Sequence, residues 1–188
     1  MTQGRIRARL QTSLKWLALA ASVGMFAVLV MGADVTNTGS EQGCGRSWPL
    51  CHGKLIPQMA VHTAIEFTHR AMVGVESVLI IALAVGAMYL YRSRLEIRIL
   101  APGMVLFLFL QAGLGAWAVM YPQLPAALAL HFGVSLVAFA SVVLTTALLF
   151  ELGGADALRD RPTPAHYRAA VFGITGYSYI VVYLGAYV

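Results

Sequence analysis

The 188 residues are 59% hydrophobic and only 11% charged, with a formal net charge of +5. A soluble domain is about 25% charged, so this composition excludes a globular fold with water all round it. The basic residues gather on one side of a membrane, so the positive balance makes no case for nucleic acid. In chain order, residues 14–32 are the first apolar run, preceded by Arg5, Arg7 and Arg9. A basic start before an apolar run also describes a signal peptide, but no convincing small-x-small cleavage site precedes the next polar stretch, and a retained helix is expected. Residues 33–60 form a long loop rich in Gly, Ser, Asn and Pro. Residues 71–91, 97–120 and 126–150 are three further runs; each of the four reaches the roughly 20 residues that cross a bilayer as a helix. A helix is also the element that satisfies its own backbone in lipid. The turn 121–125 is short, which predicts an antiparallel hairpin.

The expected fold class is an all-α integral membrane protein built on a four-transmembrane-helix bundle. Residues 1–152 are read as that bundle, 153–166 as a polar linker and 167–188 as a fifth helix. Basic residues set the orientation. Arg5, Arg7, Arg9, Lys15, Arg92, Arg94, Arg98, Arg159, Arg161 and Arg168 fall on one side, against Arg46 and Lys54 opposite. The positive-inside rule puts the N-terminus in the cytoplasm and the 33–60 loop outside a cell membrane. Residues 181–188 echo 28–35 in register through Val28/Val181, Gly32/Gly185, Ala33/Ala186 and Val35/Val188. That placement suggests the first half of a duplicated eight-helix protein, with the fifth helix opening a second repeat.

Cys44 and Cys51, the two cysteines of the chain, share the loop in Cys-Gly-Arg-Ser-Trp-Pro-Leu-Cys. An oxidising compartment and an even count favour a disulfide, which over so short a loop contributes roughly 2.5 kcal/mol. A structural staple and a thiol–disulfide redox role both remain open. Further on, His62, Glu66 and His69 are spaced i, i+4 and i+7 and share one helix face, which Glu76 extends. Ionisable groups inside a membrane usually face a bundle interior or cavity, where they pair or do chemistry. His69 lies about 13 Å in from Ala60, and His131 about 9 Å in from Pro125, at 1.5 Å rise per residue. Two imidazoles at comparable depth on facing helices can ligate a heme iron axially. Gly113, Gly115 and Gly133 would leave room for a flat macrocycle, or else only allow close helix packing. Arg70 would meet a heme propionate, pair with Glu66 or snorkel. Glu66, about 4.5 Å outward of His69 along the axis, would do acid–base work at a ring substituent or accept a hydrogen bond from His62 or Arg70. Glu76 is left with a proton-path or structural-pairing role.

Together, Gly32-Ala33-Asp34-Val35-Thr36-Asn37-Thr38-Gly39-Ser40, the cysteine octapeptide, Ile65-Glu66-Phe67-Thr68-His69-Arg70, Gln111-Ala112-Gly113-Leu114-Gly115 and His131-Phe132-Gly133 resemble the heme A synthase family. The match runs in the family's order through the whole chain. The resemblance implies a membrane oxidoreductase of eight helices in two pseudo-symmetric halves, which oxidises a methyl substituent of heme O to the formyl group of heme A for terminal oxidase assembly. It implies that Glu66 is catalytic, that His69 and His131 hold the iron of substrate heme with Arg70 near the propionates, and that Cys44 and Cys51 form the loop disulfide. A heme B cofactor would belong to a second half that this chain does not contain, so the chain as given would be catalytically incomplete or would act as a homo-oligomer. Heme O, membrane lipid, heme O synthase and cytochrome oxidase assembly factors are the partners so implied. The competing reading is a bis-histidine b-type membrane cytochrome for electron transfer, which shares the histidines but has no need of Glu66. A thiol-oxidising protein would lack its second cysteine pair, and a transporter using Glu66 and Glu76 leaves the cysteine loop unexplained.

Overall fold

A computed structural model describes residues 3–121, 125–152 and 164–187. Five helices follow one another: α1 (Gln3–Asn37), α2 (Val61–Tyr91), α3 (Leu95–Met120), α4 (Pro125–Glu151) and α5 (Ala165–Tyr187). Among the described residues, α1 to α4 are long and apolar enough to cross a membrane. The chain is therefore an all-α, multi-pass membrane protein. The inner part of the 121–125 turn and residues 153–163 of the linker, with Arg159 and Arg161, lie outside the described residues. α1 and α2 both outrun the apolar stretches that mark them. Polar residues interrupt the hydropathy signal without ending the helix, so Arg5–Arg9 and Ala33–Asn37 belong to α1 and His62–Arg70 to α2, and the expected 33–60 loop is helical over 33–37.

α1 packs on α2 and α4, and α3 packs on the same two, so the helices go round the bundle in chain order with α2 and α4 on one diagonal. The apolar core sits at the end away from the 33–60 loop. It is built from Leu14, Ala18, Ala21 and Met25 of α1, Ile80 to Ala87 of α2, Ile97 to Leu108 of α3, and Ala138, Val142 and Leu149 of α4. Alanine recurs because helices in lipid associate by close approach rather than by hydrophobic burial. A Cβ on Gly86 would fall 2.6 Å from Leu14 Cδ1, Gly24 meets Glu76 and Gly32 meets His69. These three contacts step along α1 and α2 in opposite directions at one register. The loop half of the bundle, beyond the apolar core, carries the polar chemistry. α5 lies against α4, where the Tyr179 hydroxyl comes so near Gly133 that a Cβ there would stand 2.7 Å from it.

Candidate functional site

The first three turns of α2 hold the 33–60 loop through side chains on one face. Thr63 Oγ1 donates to the Gly43 carbonyl at 2.7 Å, and His52 Nε2 donates to the same oxygen at 2.9 Å. Gly43 comes so close to the His62 carbonyl that a Cβ would overlap it. Glu66, 2% exposed, accepts the Cys44 backbone N–H on Oε2 at 2.7 Å and pairs through Oε1 with Arg70 Nη2. Arg70 Nη1 donates to the carbonyls of Ser47 at 2.8 Å and Leu50 at 3.3 Å. Cys44 and Cys51 are joined by a disulfide with their Cα atoms 4.6 Å apart. Glu66 and Arg70 therefore form a latch: the carboxylate takes the amide of one bridged cysteine, and the guanidinium gathers carbonyls from within the bridged loop.

Of the two hydrogen-bond donors considered for Glu66, the structure supplies Arg70. His62 instead lies beyond the latch, its Nδ1 2.9 Å from Ser40 Oγ, which in turn is 2.7 Å from Thr38 Oγ1. Arg70, expected to face a propionate, snorkel or pair, pairs with Glu66 and directs Nη1 into the loop. An open depression of about 560 Å³ lies beside His52, Lys54, Gln58 and Thr63, at the mouth of this end of the bundle.

One turn inward of Glu66 the two imidazoles take matching positions. His69 rests on Gly32 of α1, where a Cβ would stand 3.2 Å from its Cε1. His131 rests on Gly115 of α3, where a Cβ would stand 3.0 Å from its Cε1. Each histidine thus uses a glycine on the preceding helix, and the two approach from diagonal corners of the bundle. They lie within electrostatic reach of each other. Nδ1 of each ring is buried without a hydrogen-bond partner. A buried ring nitrogen left unpaired is costly unless a ligand completes it. Two imidazoles are too few for a tetrahedral zinc site, but they suit an iron already held by four macrocycle nitrogens. The residues present therefore fit a heme.

Of the three glycines read as room for a macrocycle, Gly115 accommodates the His131 ring and Gly133 accommodates Tyr179, while the space beside Gly113 is open. Sequence reasoning did not anticipate the Cys44 N–H on Glu66, the pairing of Gly24 with Glu76 or the Ser22–Thr146 contact across α1 and α4 at 2.8 Å. For the first there is no signal to read, since every residue but proline carries a backbone donor. For the second, the eight-residue spacing of Gly24 and Gly32 against the seven-residue spacing of His69 and Glu76 was a faint one.

Fold and site together define a multi-pass α-helical membrane protein with a half-buried imidazole pair near its loop end. A family model described as cytochrome oxidase assembly protein (COX15-CtaA) matches residues 58–188. Heme A synthases from Bacillus mycoides (strain KBAB4) and Bacillus cereus (strain AH187) are each 43% identical over 180 residues, covering 95% of this chain and 58% of theirs. That of Exiguobacterium sp. is 46% identical over 168 residues, covering 89% of this chain and 54% of its own. The chain belongs to the heme A synthase family. It spans a little over half the length of those relatives.

Proposed function

We propose that this chain is the substrate-binding half of a heme A synthase, which oxidises a methyl substituent of heme O to the formyl group of heme A. The observation that carries the reading is the His69–His131 pair, wedged on Gly32 and Gly115 with an unpartnered nitrogen on each ring. Heme O is the substrate, held through its iron by both imidazoles. Oxidising a methyl to a formyl group takes two hydrogens from the carbon, removes four electrons in total and adds one oxygen, so with water as oxygen source and an external four-electron acceptor it releases four protons. Glu66, one turn outward of His69 and sealed from water, is the group placed to take them. Arg70 and the Cys44 amide fix the carboxylate so that its direction is set before substrate arrives, and Arg70 is the cation that would meet a propionate. In this reading, 1–152 is the first repeat and α5 opens the second, whose own heme B would complete the enzyme. The N-terminus is cytoplasmic and the disulfide loop extracytoplasmic in the cell membrane. Heme O synthase and oxidase assembly factors are the partners that would deliver and receive the heme.

The engaged state of Glu66 favours a second reading. A carboxylate occupied by the loop amide and Arg70 serves structure as well as chemistry, and a bis-histidine electron-transfer cytochrome would need only the structural part. Mass identification of the heme extracted from protein made in a host that produces heme O separates the two. Heme O, alone or with hydroxylated or formylated derivatives, is the expected result. Heme B alone would establish the cytochrome, and no heme at all would overturn both.

A further inference from the structure

Gln111 stands on α3 one turn inward of Gly115, the seat of the His131 ring, and on the same face of the helix. It is 5% exposed. It lies nine residues in from Met120, as His69 lies nine in from Ala60, so both are about 13 Å deep. Within residues 99–120, Trp117 is the other side chain able to form a strong hydrogen bond, and it is 44% exposed. The Gln111 carboxamide carries two donors and an acceptor, and burying such a group without a partner is costly. Among the described residues, the side-chain hydrogen bonds of α4 end within α4 or on α1, and none includes Gln111.

The order of the bundle decides what faces this group. α2 and α4 are diagonal, so a flat macrocycle ligated by His69 and His131 turns one edge to α1 and the opposite edge to α3. The α1 edge meets residues 23–33, which hold only apolar side chains and glycine. Ser135 of α4, buried one turn from His131, spends its proton on the His131 carbonyl at 2.7 Å. The α3 edge meets Gln111. Two axial imidazoles fix the iron but leave the macrocycle free to turn about the line that joins them. Oxidation of a single methyl group at Glu66 requires that this rotation be fixed. A neutral hydrogen-bonding group on one edge, with none on the other, breaks the symmetry. Heme O carries a hydroxyl at the root of its isoprenoid side chain, where heme B has a vinyl group.

We propose that Gln111 is a specificity-determining residue whose carboxamide hydrogen-bonds the side-chain hydroxyl of heme O, and so sets which way round the macrocycle lies between His69 and His131. The inference rests on the substrate reading above and deepens it. A site that hydrogen-bonds a hydroxyl rejects the analogue without one, because its own buried polar group is then left unpaired. Heme B therefore binds less well here, although the two imidazoles accept either iron.

Titration of the full chain in lipid with heme O and with heme B, followed by the low-spin absorbance of a bis-imidazole heme, tests it. Gln111→Met keeps the side-chain volume and removes the amide. It should weaken heme O about tenfold and leave heme B unchanged or tighter, since no carboxamide is then stranded beside the vinyl group. Equal weakening of both hemes means that Gln111 serves helix packing alone and overturns the proposal, as does an unchanged affinity for heme O. A second arm needs no variant. Heme O stripped of its side-chain hydroxyl should bind wild type about tenfold more weakly than heme O does. Equal binding of those two ligands overturns the proposal even where Gln111→Met fails to fold. A wild type that gives no low-spin spectrum with either heme is a different failure: it removes the imidazole pair, and with it the macrocycle that Gln111 reads.

Discussion

Glu66→Gln tests whether the latch is as the geometry describes. A carboxylate has two acceptors, and here one takes the Cys44 N–H while the other takes Arg70. The amide of glutamine has one acceptor and one donor. If its oxygen turns to Cys44, its NH2 faces a guanidinium; if the oxygen turns to Arg70, the NH2 faces an N–H. One charge-assisted bond is lost either way. Removing one partner of a buried pair costs about 3–5 kcal/mol, and a hydrogen bond to a charged group contributes about 1.5–3 kcal/mol. Glutamine keeps one acceptor, and Arg70 keeps the carbonyls of Ser47 and Leu50. The expected loss is therefore about 2–3 kcal/mol, between those figures. Arg70→Met leaves the carboxylate buried beside a single amide and should cost at least as much. In the double variant neither charge is left alone, so the two effects should fall short of additivity by about 1–2 kcal/mol. Denaturant titration of wild type, both single variants and the double variant in mixed micelles measures this coupling. A coupling below about 0.5 kcal/mol would refute the latch, because the two side chains would then be independent.

The same titration should show Cys44→Ala/Cys51→Ala losing about 2.5 kcal/mol from the chain-entropy term of so short a loop, with reduced wild type matching the variant. Equal stability of reduced and oxidised protein would count against the loop as a staple. Gly115→Ala brings a Cβ to 3.0 Å from the His131 ring, whereas Gly113→Ala meets nothing within 4 Å. In a heme titration followed by absorbance, Gly115→Ala should weaken binding by an overpacking cost of about 1–3 kcal/mol and Gly113→Ala by under about 0.5 kcal/mol. Equal affinities of the two variants would detach the glycine contact from the histidine site.

Much of this was legible in the sequence because lipid tolerates so little. Apolar runs marked four helices, and the rarity of ionisable groups in or next to those runs singled out Glu66, His69, Glu76 and His131. The i, i+4 spacing of Glu66 and Arg70 made their pairing one of three roles left open for Arg70. What stayed hidden depends on which helix faces which. Gly115 beside His131 reads equally well as a packing notch or as heme space, and only the approach of α3 to α4 decides that it seats the imidazole. Gly133 has the same ambiguity, and there the neighbour is Tyr179 of α5. The partner of Glu66 was hidden more thoroughly. A backbone amide has no residue identity, so the loop's hold on the carboxylate emerges only once residues 33–60 fold back over α2.

The position of that latch bears on the histidines. α2 is gripped twice: near the end opposite the loop by the apolar core around Ile80 and Leu83, and at the loop end through Thr63, Glu66 and Arg70. His69 lies inside the second grip, between Glu66 and Arg70 in sequence and on the same turns of helix. His131 has no such hold. It sits on α4 with its ring against Gly115 of α3. The disulfide loop therefore bears on the pair from the α2 side, through the turns that carry Glu66, His69 and Arg70. The Glu66 carboxylate and the His69 ring are thus tied to the disulfide loop through one stretch of α2, and the His131 ring is not.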